Sequence, residues 1–237
     1  MDLTGKTVAL VTGGSKGIGY GIAEALVKLG VKVAITSRHK EKAEEAAKTL
    51  GGPDQVLGLK ADVRDYESQE KAVSRILEKW DRLDIVVANA GVGHFAPVEE
   101  LTLEQWQQTI DTNLTGVFYS IKASVAALKE TQGYIFTISS LAGTNFFANG
   151  SAYNASKFGL TGFTQAVMLD LRNYGIKVST IMPGSVATYF NDHIPSEEDA
   201  WKIQKEDLGE LVVDLLKMNP RALPSKIEIR PSTPPKK

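Results

Sequence analysis

Short apolar runs alternate with longer amphipathic stretches along most of the 237-residue chain. The runs are rich in Val and Ile without polar alternation, which is typical of parallel strands buried on both faces. They predict strands at Thr7 to Val11, Lys32 to Thr36, Gln55 to Lys60, Asp84 to Ala88, Tyr134 to Ser139, Lys177 to Met182 and Lys226 to Arg230. The amphipathic stretches predict helices at Ile18 to Leu29, Lys40 to Leu50, Tyr66 to Trp80, Leu103 to Leu128, Ala152 to Tyr174 and Glu206 to Met218. This alternation indicates a doubly wound α/β fold, with a parallel sheet of about seven strands and helices on both faces.

Turn and linker residues bear on the number of domains. Gly30, Gly51 and Gly175 follow predicted helices, where left-handed C-terminal caps are expected. No Pro- or Ser-rich linker interrupts the alternation. We therefore expect one domain over residues 1–237, with a core at 5–218 and a C-terminal strand and tail at 219–237 that ends in a frayed Pro-Ser-Thr-Pro-Pro segment.

Composition and charge exclude several classes of protein. The 27 Lys and Arg residues against 28 Asp and Glu leave a net charge of -1, so no footprint for nucleic acid or an anionic membrane is present. Zero cysteines exclude a disulfide scaffold, a thiol nucleophile and Cys-ligated zinc, and fit a reducing compartment. The apolar run Val8 to Val11 is too short to span a bilayer. We expect a soluble, cytoplasmic protein.

The first predicted strand runs directly into a glycine-rich turn, and a helical pattern starts at once. The residues of this turn are Thr12, Gly13, Gly14, Ser15, Lys16, Gly17, Ile18 and Gly19. Glycines leave no Cβ in the way, so backbone N–H groups and a helix N-terminus can face a pyrophosphate. Many strand-to-helix turns contain Gly only because the backbone needs a positive φ, so the turn alone does not decide between the two uses.

Tyr153 and Lys157 stand four residues apart at the start of a predicted helix, which places both side chains on one face. A phenol has a pKa of about 10, and this pKa must be lowered towards the working pH if the group is to act as both acid and base. An ammonium about 4 Å away contributes about 4 kcal/mol at an effective dielectric of 20, enough to lower a pKa by about 3 units. Ser139 and Ser140 close the fifth strand at the carboxyl edge of the sheet, where open α/β sheets bind ligands.

From Gly5 to about Met218, the order and spacing of these motifs resemble the short-chain dehydrogenase/reductase family. The matching motifs are Thr12-Gly13-x-x-x-Gly17-x-Gly19, Asp62-Val63, Asn89-Ala90-Gly91, Asn113, Ser140, Tyr153, Lys157, Pro183-Gly184 and Thr188. The resemblance implies a Rossmann fold that binds a nicotinamide dinucleotide. It implies cofactor contacts at Gly13, Ser15, Lys16, Gly17, Ile18, Gly19, Ser37, Arg38, Asp62, Val63, Asn89, Ala90, Gly91, Tyr153, Lys157, Pro183, Gly184, Val186 and Thr188.

The resemblance also implies the roles of four catalytic residues. Tyr153 would donate a proton to the substrate carbonyl, and Ser140 would hydrogen-bond the same oxygen. Lys157 would lower the pKa of Tyr153 and hold the nicotinamide ribose, and Asn113 would position a water that links Lys157 to solvent. Ser139 is expected to be a buried strand residue.

The end of the second strand bears on the type of dinucleotide. NAD enzymes usually present an acid there to the ribose 2′-hydroxyl, whereas NADP enzymes present Arg to the 2′-phosphate. This chain has Ser37 and Arg38, and its next acid is Glu41. Lys16 in the glycine-rich turn adds a second cation, a pairing that resembles the NADP-preferring branch of the family. We therefore expect NADP(H) as the cofactor.

These features predict an NADPH-dependent enzyme that reduces a ketone or aldehyde. A specific 3-oxoacyl-[acyl-carrier-protein] reductase is the alternative, with Lys129 and Arg172 as a basic rim for the acidic carrier protein. A catalytically silent NADP-binding regulator is a remote third hypothesis, since such proteins should lose Tyr153 or Lys157. The histidines His39, His94 and His193 are isolated from one another and from carboxylate pairs, so no metal site is predicted.

Two expectations concern surfaces. The helices Leu103 to Leu128 and Ala152 to Tyr174 carry more apolar residues than one sheet face should cover, and family members commonly pair these helices, so we expect a homodimer or homotetramer. The segment from Pro183 to Glu206 is short for a lid, which predicts a site open at one side. Aromatic residues around it favour bulky apolar or aromatic ketones, namely Phe95, Phe146, Phe147, Tyr189 and Phe190.

Overall fold

The apolar runs form one parallel seven-stranded sheet in the order β3-β2-β1-β4-β5-β6-β7. The computed structural model describes Leu3 and residues 5–233, so positions 234–237 of the expected frayed end lie outside the described residues. The strands are β1 (Val8–Val11), β2 (Lys32–Ser37), β3 (Val56–Lys60), β4 (Ile85–Ala88), β5 (Tyr134–Ile138), β6 (Lys177–Pro183) and β7 (Lys226–Ile229). Every strand pairing is parallel. The predicted α/β class and doubly wound sheet are confirmed.

Helices cover both faces of the sheet. They are α1 (Gly17–Lys28), α2 (Lys40–Leu50), α3 (Tyr66–Trp80), α4 (Leu103–Ile110), α5 (Gly116–Thr131), α6 (Ser151–Leu171) and α7 (Lys205–Lys217). On one face α1, α2 and α7 bury residues such as Ile22 and Val212, and on the other α3, α5 and α6 bury residues such as Ile76 and Leu160. Within the described part of the chain, no helix is long and apolar enough to cross a membrane.

The structure corrects two local expectations. The single helix predicted from Leu103 to Leu128 is interrupted by a π-helical turn at Asp111–Thr115, in which the Gly116 amide donates to the Asp111 carbonyl. Apolar periodicity continues across such a turn, so the pattern does not reveal it.

Gly51 is not a left-handed cap: its φ of 175° is extended backbone, whereas Gly30 and Gly175 have φ values of 84° and 75°. The chain leaves α2 directly towards β3.

Buried hydroxyl groups fix α6 against β5 and β6. The Thr137 hydroxyl lies 2.9 Å from that of Thr164 on α6 and 3.1 Å from that of Thr180 on β6. Ser139 lies 3.0 Å from the Thr161 hydroxyl, and all of these side chains are buried. We call Thr137, Ser139, Thr161, Thr164 and Thr180 the hydroxyl ladder. Directional bonds of this kind set the register of α6, which carries Tyr153 and Lys157 at its N-terminal end.

Candidate active site

The loops that follow β1 and β4 meet at the carboxyl edge of the sheet. Strand β1 lies between β2 and β4, so the direction of winding reverses there, and ligands of open α/β sheets bind at such a point. The Thr12 hydroxyl accepts hydrogen bonds from the amides of Asn89 (3.0 Å) and Ala90 (3.1 Å). The Asn89 side chain donates back to the Thr12 carbonyl at 2.9 Å. Thr12, to which the sequence analysis assigns no contact of its own, therefore connects the glycine-rich turn to the Asn89-Ala90-Gly91 loop.

The glycine-rich turn has the conformation that an anion site needs. Gly13 has a φ of 64°, and a Cβ there would come within 2.9 Å of the Ala90 Cα. Gly17 has a φ of 59° and opens α1, and Lys16 provides no side-chain cap to the first amides of that helix. Uncapped amides at the N-terminus of a 12-residue helix suit a phosphate group. Thr188, which is buried, lies beside Gly17.

The other predicted contacts of the glycine-rich turn and of the loop after β6 lie around this point. Gly19 is buried, and Ile18 packs against the core under α1, while Ser15 is half-buried. The Gly184 amide, after Pro183, donates to the Ile229 carbonyl at 2.8 Å. Val186 pairs with Ile203, which brings the segment beyond β6 back towards α7.

A cavity of about 440 Å³ lies at the ends of β2 and β3. Its lining is mostly charged and comprises Arg38, Lys60, Asp62, Asp65, Ser68 and Lys71. The Arg64 guanidinium binds both carboxylate oxygens of Asp62, with a shortest contact of 2.7 Å, and it lowers the pKa of Asp62. Ser37 accepts a hydrogen bond from the His39 amide at 3.3 Å, and Val63 is buried against Gly116.

The second predicted cation has a different neighbour. The Lys16 ammonium lies 5.6 Å from the ring centroid of Tyr189, on the segment that follows Thr188. Lys16 and Arg38 are both exposed.

Tyr153, Ser140 and Lys157 lie close together. Ser140 hydrogen-bonds the Tyr153 hydroxyl, and the Lys157 ammonium lies 5.6 Å from the Tyr153 ring centroid. Lys157 is 4 % exposed and donates to the Ile138 carbonyl at 2.9 Å. Burial lowers the pKa of Lys157 to about 8.

The direction of the Tyr153 shift differs from the expectation. Burial raises the pKa of Tyr153 above its ordinary value, and the hydrogen bond from Ser140 only opposes that rise. The physical reason is that the phenol loses its contact with water, whereas the Lys157 ammonium is directed at the Ile138 carbonyl. Ser139 is buried, as expected for a strand residue. Its hydroxyl donates to the Lys157 carbonyl at 3.2 Å and so is not directed at the Tyr153 hydroxyl.

Asn113 lies in the π-helical turn and is fully buried. Its side-chain oxygen accepts from the Val92 amide at 2.8 Å, and its side-chain nitrogen donates to the Val92 carbonyl at 2.8 Å and to Ser156 at 3.0 Å. Ser156 in turn donates to the Tyr153 carbonyl at 2.8 Å. The side chain thus joins the loop after β4 to α6. The wider turn releases the backbone at this point, as π-helical turns at functional sites often do.

Aromatic rings cover Tyr153. The Phe95 and Phe190 rings lie 5.4 Å and 5.6 Å from the Tyr153 ring, and Phe147 lies 5.9 Å from Phe95. We call Phe95, Phe147 and Phe190 the aromatic cover. Of the five aromatic residues predicted to line the pocket, Phe146 is 87 % exposed and Tyr189 faces Lys16, so three form the cover. Phe190 therefore narrows the side of the site that was expected to be open.

The segment after β6 is held by one buried carboxylate. Asp199 is 5 % exposed, and its oxygens bind the Lys202 ammonium and His193, each at 2.5 Å. The Ser196 amide donates to the same carboxylate at 3.1 Å. Hydrogen bonds from Lys202 and His193 hold the pKa of Asp199 well below its ordinary value. His193 thus pairs with a single carboxylate, and no metal-binding group of three or more acids and histidines occurs among residues 5–233.

Lys129 and Arg172 do not border this site within one chain. Lys129 lies near the end of α5, shortly before β5 starts, and Arg172 follows α6, shortly before β6 starts. Both positions belong to the amino edge of the sheet, because helices in such crossovers run opposite to the strands. The Lys129 ammonium lies 3.6 Å over the ring of Tyr174.

Comparison with known proteins agrees with this geometry. The family model for short chain dehydrogenases matches residues 7–199. The chain belongs to the short-chain dehydrogenase family.

The relatives of this short-chain dehydrogenase differ in their substrates. It is 37% identical over 194 residues to trans-4-hydroxycyclohexanecarboxylate dehydrogenase of Sinomonas cyclohexanicum, with 79% of this chain and 75% of the relative covered. It is 35% identical over 193 residues to a 3-oxoacyl-[acyl-carrier-protein] reductase of Synechocystis, with 80% and 78% covered. An alcohol dehydrogenase from the archaeon Thermococcus sibiricus, complexed with 5-hydroxy-NADP, superposes with a TM-score of 0.90 at 29% identity, over 98% of this chain and 99% of that one.

Sequence reasoning on this short-chain dehydrogenase assigned no role to four residues that act through hydrogen bonds. Thr12, Asn154 and Ser156 bond to backbone groups, whereas Arg64 binds the Asp62 carboxylate. Arg64 could have been found, because it follows the predicted adenine residue Asp62 by two positions. The partners of Thr12, Asn154 and Ser156 are set by the tertiary fold and leave no local pattern.

Proposed function

We propose that the protein is an NADPH-dependent oxidoreductase that reduces the carbonyl group of a ketone or aldehyde to an alcohol. The observation that carries this proposal is the grouping of Tyr153, Ser140 and Lys157 at the edge where the glycine-rich turn presents the N-terminus of α1. The Tyr153 hydroxyl is hydrogen-bonded to Ser140, and the ammonium of the buried Lys157 lies 5.6 Å from the Tyr153 ring centroid. Bound NADPH would supply a hydride to the carbonyl carbon. The chain's own residues would handle the proton and the oxygen.

Tyr153 is the proposed proton donor. Burial raises the pKa of Tyr153, so the phenol holds its proton at neutral pH and can give it to the carbonyl oxygen. Ser140 would donate a hydrogen bond to the same oxygen as negative charge develops there. Lys157, with a pKa of about 8, is mainly an ammonium below that pH and stabilises the tyrosinate left after proton transfer. Asn113 holds the helix that carries both groups through its bond to Ser156.

Arg38 is the proposed determinant of NADP preference. It opens onto the cavity that Lys60 and Lys71 also line, and the carboxylate of Asp62 in that cavity is already paired with Arg64. Asp65 also lines the cavity and Lys71 pairs with Glu67, so Arg38 and Lys60 are the cations that the cavity offers to a 2′-phosphate. A charge-assisted contact contributes about 1.5–3 kcal/mol, or roughly a 10- to 100-fold preference for NADPH over NADH. The bound 5-hydroxy-NADP in the Thermococcus sibiricus structure supports the same choice.

Titration of cofactor fluorescence would test this choice of cofactor. The Kd for NADPH should lie below that for NADH, and Arg38→Asp should narrow or invert the difference. Arg75→Asp is the matched control, because Arg75 pairs with Glu78 on the exposed side of α3. Equal affinities for the two cofactors in the unmodified protein would refute NADP preference and leave the reaction class intact.

Bulky apolar or aromatic ketones are the proposed substrates. The aromatic cover offers ring faces to a substrate beside Tyr153, and burying an apolar ring there contributes about 25 cal/mol per Å². Turnover with NADPH across matched pairs of aromatic ketones, small hydroxy-acid precursors and β-keto thioesters tests this proposal. A consistent advantage in kcat/KM for the small polar partner would overturn it, and no turnover on any carbonyl would favour a silent NADP-binding regulator.

Reduction of 3-oxoacyl groups on an acyl-carrier protein is the second candidate, favoured by the Synechocystis relative. Its basic rim needs a second copy of the chain, since Lys129 and Arg172 lie at the opposite edge from Tyr153. Exposed apolar residues on α4, α5 and α6 support a homodimer or homotetramer; they are Trp106, Phe118, Phe158 and Leu169. Sedimentation at micromolar concentration should show an oligomer, and a monomer would argue against both the assembly and this substrate. The cytoplasm is the proposed compartment.

A further inference from the structure

Asn154 follows Tyr153 on α6 but points away from the reacting groups. Its side chain is 8 % exposed, and its nitrogen donates to the carbonyls of Ala142 and Asn145, each at 2.8 Å. Its oxygen accepts from the Phe147 amide at 3.3 Å. One side chain therefore holds three backbone groups of the stretch 141–150, which links Ser140 to Tyr153. We call this stretch the Ser-Tyr loop.

The bond to Ala142 leads to the catalytic serine. The Ala142 carbonyl accepts from Asn154, while the Ala142 amide donates to the Ser140 hydroxyl oxygen at 3.1 Å. An amide that occupies one lone pair of this oxygen restricts where the Ser140 proton can point. Ser140 is the group that hydrogen-bonds Tyr153. The Asn154 side chain is thus two hydrogen bonds away from the Ser140 hydroxyl.

The bond to Phe147 leads to the aromatic cover. The Phe147 ring contacts Phe95, which contacts Tyr153. The side chains around Gly150 are closely packed, because a Cβ on Gly150 would come within 2.7 Å of the Asn154 oxygen and 2.5 Å of the Phe147 ring. The Asn149 carbonyl also accepts from the Ala96 amide at 2.9 Å, so the Ser-Tyr loop is joined to the loop after β4.

From these contacts we infer that Asn154 is a positioning residue for the reduction, because its amide group holds the Ser-Tyr loop so that the Ser140 hydroxyl meets Tyr153 and the Phe147 ring packs against Phe95. The inference rests on the proposed carbonyl reduction. It requires both chemical halves of the amide, since the nitrogen serves two carbonyls and the oxygen serves an amide. A carboxylate of the same shape keeps the acceptor and turns the donor into a second acceptor that faces two carbonyl oxygens.

The test compares Asn154→Asp with Asn145→Asp. The Asn145 side chain lies in the same loop but is exposed and donates only to Leu141 and Thr144. Both variants add one negative charge, so the control removes the effect of charge near the site. At pH 8, Asn154→Asp should lower kcat/KM by about 10- to 100-fold, as expected for misplaced reacting groups. Asn145→Asp should stay close to the unmodified protein.

A pH series separates positioning from general damage. Burial opposite two carbonyl oxygens should raise the pKa of the new carboxyl above that of a free aspartate. As the pH falls towards 5, its protonation restores one donor, so the deficit of Asn154→Asp should shrink. Tyr153 and Lys157 titrate in both proteins, so the measured quantity is the ratio of the two kcat/KM values at each pH. Asn154→Ala should be impaired at every pH, and it replaces Asn154→Asp in the comparison if the charged variant does not fold. The Kd for NADPH should be unchanged in all variants.

Two outcomes overturn the inference, one in kinetics and one in hydrogen exchange. If the unmodified protein turns over a carbonyl substrate, equal kcat/KM values for Asn154→Asp, Asn154→Ala and Asn145→Asp overturn it. If the unmodified protein reduces no carbonyl compound, the proposed function fails, and hydrogen exchange of the Ser-Tyr loop then decides the role of Asn154. Exchange at 141–150 should be faster in either Asn154 variant than in Asn145→Asp, and equal exchange would overturn the positioning role as well.

Discussion

Two regions meet at Tyr153 and are held in opposite ways. On one side, α6 is fixed by the hydroxyl ladder, by Asn113 through Ser156, and by the Lys157 bond to Ile138, all of them buried. On the other side, residues 184–204 carry short 3-10 turns and exposed rings, and the buried Asp199 carboxylate binds Lys202 and His193. We call this stretch the cover segment. Two consecutive residues in it, Asn191 and Asp192, have positive φ values of 54° and 58°.

This contrast assigns different tasks to the two regions. Directional bonds between buried groups fix one arrangement, because breaking any of them leaves a polar atom without water. Ring contacts between half-exposed side chains tolerate several arrangements. We therefore expect the fixed region to govern the proposed chemistry and the cover segment to influence which substrate is accepted. Substitutions in the two regions should separate these effects.

The largest effect should come from the fixed region itself. Tyr153→Phe removes the proposed proton donor and should lower turnover by about 10²- to 10⁴-fold while the Kd for NADPH stays unchanged. Tyr174→Phe, at an exposed tyrosine over which Lys129 lies, is the control. Steady-state kinetics and cofactor titration measure both quantities. Near-normal turnover of Tyr153→Phe on every active substrate would show that the tyrosine is not the acid.

The hydroxyl ladder should make a smaller contribution, visible in stability. Thr137→Val removes the hydroxyl that serves both Thr164 and Thr180, and an unsatisfied buried partner costs about 1–3 kcal/mol of unfolding free energy. Thr49→Val, at an exposed position on α2, should cost less. Denaturant unfolding measures the difference. If the two substitutions cost the same, the ladder does not fix α6 more firmly than an exposed hydroxyl does.

Phe190 should affect selectivity only. Phe190→Ala removes a ring of the aromatic cover that contacts Tyr153 and Phe95, so kcat/KM for bulky ketones relative to small ones should fall by up to about tenfold, the loss that corresponds to about 1.4 kcal/mol of apolar burial. The free energy of unfolding and the NADPH Kd should be unchanged. Phe146→Ala is the matched control, because Phe146 is 87 % exposed. A loss of turnover on all substrates alike would place Phe190 in the fixed region instead.

The smallest effect should be the acid response of the cover segment. Because the pKa of Asp199 is lowered in the folded chain, its stabilising effect is present above the ordinary value of 3.8 and is lost as the pH falls below it. Asp199→Asn should therefore speed hydrogen exchange of residues 186–203 at pH 6, and this difference should shrink towards pH 3. Asp192→Asn, at an exposed position, is the control. A difference that grows with acid would contradict the assigned direction.

The sequence was sufficient to predict the sheet and to place the proposed catalytic residues at one edge of it, but not to predict the hydrogen bonds that connect them. Strand and helix positions follow from apolar patterns, and Tyr153, Lys157 and Ser140 come together because strand ends and helix starts share one edge. The conformation of Gly51 and the raised pKa of Tyr153 depend on packing between distant segments. The same holds for Phe190, whose place over Tyr153 is decided by a segment with no periodic pattern.

The π-helical turn at Asp111–Thr115 also decides which way α5 faces. An α-helix advances about 100° per residue, so one extra residue in a regular helix would change the phase of everything that follows. A π-helical turn closes over one residue more than an α-helical turn, so it takes up the extra residue locally and the phase is kept. Ser120 and Ile121 on α5 therefore stay buried although the turn before them is longer than regular. A one-residue deletion within this turn should restore the regular repeat without rotating α5, whereas the same deletion in a helix of regular turns would turn its buried face away from the core.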